Sequence, residues 1–154
     1  MASDLENAIR WIENAPPCIL QFYPSNYHKA SWWTNQIFDS ILEEIKKGNQ
    51  DAMKLGCQLI IDDPNKIPFG KIIKSNIGRA LKAKANLIPE NERQKIIKKV
   101  FSLIKAGIVP QEVKVYCKLI DKFGIEKYFE ETEEINPANQ YVQALKDYLL
   151  ASPH

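Results

Sequence analysis

The chain has 154 residues, 45% of them apolar and 26% charged, with a formal net charge of +2. This length suits a single domain, residues 1–154, that buries roughly two thirds of its unfolded surface without staples, and the composition excludes a disordered or fibrous chain. Three scattered cysteines with no C-x-x-C pair exclude a disulfide framework or thiolate zinc site, and the acidic start and the lack of an apolar run of about 18 residues point to a soluble cytoplasmic protein with no membrane segment.

Strand formers other than Ile are scarce, with five Val and two Thr in the whole chain, so the elements expected are helices throughout. The first starts at Ser3, where Glu6 completes a capping box, presents Leu5, Ile9 and Ile12, and stops before Pro16-Pro17. Residues up to 31 are less regular. A second helix follows Ser31 and carries Trp33, Ile37, Ile41 and Ile45 at four-residue spacing as far as Gly48, a residue suited to the left-handed position beyond a helix end. Asn49 starts a third, with Ala52, Leu55, Leu59 and Ile60 inward, that ends at Asp62-Asp63-Pro64. A fourth spans Phe69 to Lys84. The fifth runs from Pro89 to Gly107 and the sixth from Pro110 to Gly124, each with proline leading in and glycine leading out. A short acidic helix near Ile125 to Glu134 and a last one from Asn136-Pro137 to about Leu150 complete an all-α fold of about seven helices.

Helices two and three match helices five and six. Ile37-Phe38, Ile41-Leu42, Ile45-Lys46 and Gly48 align with Ile96-Ile97, Val100-Phe101, Ile104-Lys105 and Gly107. After one inserted residue, Met53 to Ile60 aligns with Val113 to Ile120, bringing Cys57 onto Cys117. Coincident apolar positions and glycines mean that both blocks bury the same faces as helical hairpins. This pattern resembles HEAT and armadillo-like helical repeats over roughly residues 32–150, with the fourth helix as an extra element of the unit. The resemblance implies stacked antiparallel hairpins in an α-α superhelix; an orthogonal bundle is the alternative.

Charge is unevenly placed: residues 66–105 hold eleven basic and two acidic side chains, whereas both flanks are net acidic. On helix four, Lys71, Lys74, Gly78 and Lys82 form a stripe opposite Ile73, Ile77 and Leu81, and on helix five Lys95, Lys98, Lys99 and Lys105 point outward with Arg93 nearby. If helices four and five are antiparallel neighbours, the stripes merge into one anion or partner surface that includes Lys66. The alternative is a solvated lysine face. The start of helix four, Phe69 to Lys71, is where an anion is expected first. Six of fifteen aromatics lie between residues 22 and 38. Adjacent Trp32 and Trp33 stand about 100° apart on a helix, so at most one reaches the core, and Tyr27, Trp32 and Trp33 form a candidate aromatic surface.

Catalytic signals are sparse. His28 and His154 are poor material for a metal site or nucleophilic dyad, Gly70-Lys71 lacks the remainder of a phosphate loop, and Cys57 and Cys117 read as core. No metal or cofactor is expected. The carboxylates of Asp62-Asp63 and of Glu130 to Glu134 leave acid–base chemistry open but without a second partner. The first reading is therefore a non-enzymatic module that binds another protein. A nucleic-acid-binding protein using the 66–105 face is the second and a carboxylate enzyme the third.

Overall fold

In a computed structural model, which describes residues 3–25, 31–64 and 66–151, the helix boundaries fall where local chemistry sets them. The Ser3 hydroxyl accepts the Glu6 N–H at 3.1 Å and opens α1, Asp4–Asn14. A 3-10 turn, Pro17–Phe22, leads toward α2, Ser31–Lys46. Asn49 caps α3, Gln50–Asp62, by accepting from Ala52 N–H. Then come α4, Gly70–Ala83, a 3-10 turn at Ala85–Leu87, α5, Glu90–Lys105, and α6, Gln111–Phe123. A third 3-10 turn, Glu126–Tyr128, runs into the short α7, Phe129–Glu133, and α8, Gln140–Leu150, ends the described chain. The described residues thus hold eight α-helices and no strand.

Helices two apart in sequence lie side by side: α2 on α4, α4 on α6, α6 on α8, and α3 on α5. Neighbours α2 and α3, α3 and α4, α5 and α6, and α7 and α8 also pack. Even-numbered helices therefore make one row and α3 with α5 another, around a continuous apolar cluster reaching from Ala8 to Leu149. This arrangement of packed helix pairs is compatible with a helical-repeat architecture.

The two matching hairpins agree down to their main-chain bonds. Gly48 N–H donates to Ile45 O and Asn49 N–H to Glu44 O; Gly107 N–H donates to Ile104 O and Ile108 N–H to Leu103 O. Both glycines take positive φ, 82° and 74°, which lets the chain leave the helix without a Cβ clash. Ile37, Ile41 and Ile45 are buried, as are Ile96, Val100 and Ile104 at the corresponding positions. The hairpins sit differently in the stack, however: α2 lies in the even row and its counterpart α5 in the other. The differing surroundings explain the aligned pair that differs most in size. Gly56 lies against Ile45, Ile77 and Leu81, where a Cβ would stand 2.7 Å from Ile45 Cδ1, while Tyr116 at the equivalent place fills the space beside Gly78.

On α1 the buried face is Ala8, Trp11 and Ile12, with Leu5 and Ile9 only half-buried, a rotation from the expected Leu5, Ile9 and Ile12. The cause is Trp11, whose indole N–H donates to Asp62 Oδ2 at 2.9 Å and whose ring packs on Phe38.

Cys57 and Cys117 are both buried in the core. Burial pushes each thiol up from the ordinary 9.0 to about 12. A thiol reagent at neutral pH is expected to modify half-exposed Cys18 and to reach the other two only on unfolding. The same shifts set a pH window. Unfolded thiols ionise from about pH 9 and folded ones only near 12, so this part of the stability is complete below pH 9 and lost as pH rises toward 12. Replacing both cysteines by alanine flattens that decline in denaturant melts recorded across the window.

Candidate functional site

The basic residues of α4 and α5 do not form one merged face. Against expectation α4 packs on α2, α3 and α6, and α5 on α3 and α6, leaving α4 and α5 with at most marginal contact. Two members of the α4 stripe also point inward. Gly78 is buried, and a Cβ there would stand 2.8 Å from Val115 Cγ1, so it marks the close approach of α4 to α6. Lys74 is 7% exposed and donates to Asp63 Oδ1 at 2.8 Å. Lys66 and Lys71 remain at the surface, but the carboxylate of Asp63, not a vacant cationic pocket, faces Lys74 near the start of α4.

The outward lysines of α5 find a different setting. Lys95, Lys98 and Lys105, spaced to share one side of the helix, border a groove of about 800 Å³ whose other wall is Tyr128 and Glu131. Ile97 and Phe101 line its base. Tyr128 is held by its hydroxyl, which donates to Gln94 Oε1, by Thr132 Oγ1 donating to its main-chain oxygen, and by the Phe101 ring at 5.8 Å. Lys105 pairs with Glu131 across the groove. Among the described residues Lys95 and Lys98 have no carboxylate partner, and both are exposed. Lys99 is half-buried and outside this groove.

Lys82 and Arg93 meet elsewhere. With Arg79 of α4 and Lys122 of α6 they line a cleft of about 740 Å³, completed by Ala83, Ala85 and Asn86. Arg93 is fixed there: Nε donates to Ile88 O at 2.6 Å, Nη2 to Ala85 O and Asn86 O at 3.3 and 3.4 Å, and the guanidinium lies 5.6 Å from the Phe123 ring centre. The sequence reading passed over Arg79, which lies outside the stripe traced on α4, and Lys122, because α6 lies outside the basic third and only the tertiary contact of α6 with α4 brings Lys122 to this place.

The aromatic surface is corrected in part. Trp33 is fully buried, with Tyr23 edge-on at 5.0 Å, since it shares the inward face of Ile37, Ile41 and Ile45. Trp32 is 42% exposed. Tyr27, like His28 and His154, lies outside the described residues. An apolar patch that sequence reading missed, Phe69 and Ile72, edges a shallow groove between α2 and α4 beside Phe38 and Leu42. Of the carboxylates once open to acid–base work, Asp62 accepts from Trp11 and Gln58, and Asp63 from Lys74. Among the described residues no three His, Cys, Asp or Glu side chains gather as a metal-ligand set, and no helix is long and apolar enough to cross a membrane.

No protein-family model, curated protein or solved structure matches this chain.

Proposed function

We propose that the chain is a non-enzymatic binding module that holds an acidic stretch of another protein in the groove between α5 and α7. The observation that supports this reading is the combination of an aromatic wall, the half-buried Tyr128 over a base of Ile97 and Phe101, with two exposed lysines, Lys95 and Lys98, that have no carboxylate of their own. Exposed ion pairs contribute only about 0.2–1 kcal/mol each, so the lysines orient and steer the partner while Tyr128 supplies apolar contact.

Affinity capture at low salt with the whole chain tests it. Lys95→Glu with Lys98→Glu is expected to lose an acidic protein that the unaltered chain retains, with the stability of the chain changed by less than about 0.5 kcal/mol. Lys114→Glu with Lys118→Glu, an equal charge change on the exposed face of α6, is expected to retain it. Equal capture by both double variants, or captured material released by nuclease, overturns the reading.

A further inference from the structure

The cleft lined by Arg79, Lys82, Arg93 and Lys122 shares no residue with the α5–α7 groove, and it presents four cations from three helices with no carboxylate in its lining. We infer that it is a binding site for a small diphosphate-bearing ligand. Basic side chains near helix C-termini often only complement the helix dipole, and Lys82 and Lys122 do sit in the last turns of α4 and α6. That role accounts for one cation per helix end. The packing of α4 on α6 brings the two ends together and the 85–88 carbonyls hold Arg93, but four like charges gathered in one cleft oppose folding unless an anion offsets them.

Arg93 supplies the second argument. Its bonds to the oxygens of Ala85, Asn86 and Ile88 cover main-chain carbonyls that would repel an anion and hold the guanidinium plane still before any ligand arrives. A guanidinium already fixed in place loses little freedom on binding, and its Nη1, which takes no part in these bonds, is left to donate to a phosphate oxygen. Arg79 Nη1 is engaged only with Asn76 Oδ1, at 3.2 Å, while Lys82 and Lys122 have no ion-pair partner among the described residues.

The size of the ligand follows from charge and from what flanks the cleft. A phosphate monoester carries about −1.5 to −2 near neutral pH, short of four cations, and a second phosphoryl group brings the ligand's charge closer to theirs. A nucleic-acid backbone would need a track of cations running out of the cleft. Along α4 the track stops, because Lys74 is turned inward to Asp63, and on α5 Lys95 and Lys98 open into the other groove; on α6 alone the exposed Lys118 and Lys114 continue from Lys122. The four cations converge only at the cleft, where three helices contribute them, and a single row of lysines leaves it.

Calorimetric titration of the full chain with inorganic pyrophosphate at about 50 mM salt tests this, a regime in which phosphate contacts are little screened. Binding below about 1 mM is expected, at least about tenfold tighter than for orthophosphate, with the combined variant Arg79→Gln, Lys82→Gln and Lys122→Gln at least about tenfold weaker and unchanged in its helical spectrum and melting. Arg93 is left intact because its loss would also unpair the 85–88 carbonyls. Lys95→Glu with Lys98→Glu should bind pyrophosphate as the unaltered chain does, which separates this site from the partner groove. No binding by the unaltered chain, equal affinity for orthophosphate, or an undiminished triple variant overturns the proposal. So does a single-stranded oligonucleotide that occupies the same cleft more tightly than pyrophosphate.

Discussion

Lys74→Ala is expected to destabilise the fold by about 3 kcal/mol, the lower part of the range for breaking a buried ion pair from one side. The lysine side chain is 9% exposed and that of Asp63 20%, so the carboxylate left behind keeps some water and the full penalty is not reached. The effect reaches beyond the pair. Asp63 closes α3 in the left-handed region at φ 45°, and Lys66 and Phe69 follow at 53° each, so the chain linking α3 to α4 holds three non-glycine residues in a sparsely populated conformation. The bond from Lys74 ties the start of that link to α4. Lys74→Met with Asp63→Asn should recover much of the loss, because neither charge is then stranded. Denaturant unfolding of Lys74→Met, Asp63→Asn and the double variant gives the coupling directly. A Lys74→Ala loss below about 0.5 kcal/mol would mean that the pair is effectively solvated and Lys74 is free to serve the surface, as its spacing first suggested.

The second large effect separates two adjacent tryptophans. Trp33→Ala is expected to cost about 3–5 kcal/mol, and Trp32→Ala no more than about 1 kcal/mol. Trp33 is fully enclosed beneath Tyr23 and the α2 face, so its removal leaves a cavity at the edge-on contact, whereas Trp32 is 42% exposed. Thermal melts of the two variants side by side are the measurement. Similar losses at both positions would reject the assignment of Trp33 to the core and return it to the candidate surface.

Local chemistry explains why so much of the fold was readable before any coordinates. Ser3, Asn49, Gly48, Gly107 and Gly124 act within a few residues of themselves, through caps or positive φ, and their effect is the same in any surroundings. Four-residue spacing of Ile likewise identifies the inward face of a helix whatever packs upon it, which is why Ile41, Ile45, Leu59, Ile77, Ile97, Val100, Ile104, Leu119 and Ile120 are all buried. The hairpin match belongs to the same class, since each hairpin repeats one local pattern of glycine exit and apolar face.

The candidate sites were less readable, because they depend on which helices meet. The spacing of Lys71, Lys74, Gly78 and Lys82 describes one side of α4 but cannot say that α6 lies close to it, and that contact buries Gly78 beside Val115 and Tyr116. Nor does the sequence alone show that Asp63, eleven residues before Lys74, comes back to bond it. Lys82 and Arg93 were singled out as one basic surface; Arg79 stands one turn before Lys82 on the same helix, whereas Lys122 joins them only through the side-by-side packing of α4 and α6. Tyr128 faces the α5 lysines because a 3-10 turn carries it there. By itself, then, the sequence determined the helices, their caps, their apolar faces and the paired hairpins, all short-range properties of the chain. The order in which the helices stack, and therefore which charges are buried, which are gathered and which face an aromatic wall, was decided only by the tertiary structure, because burial is a property of the whole packing and apolar faces of similar width do not specify their partners.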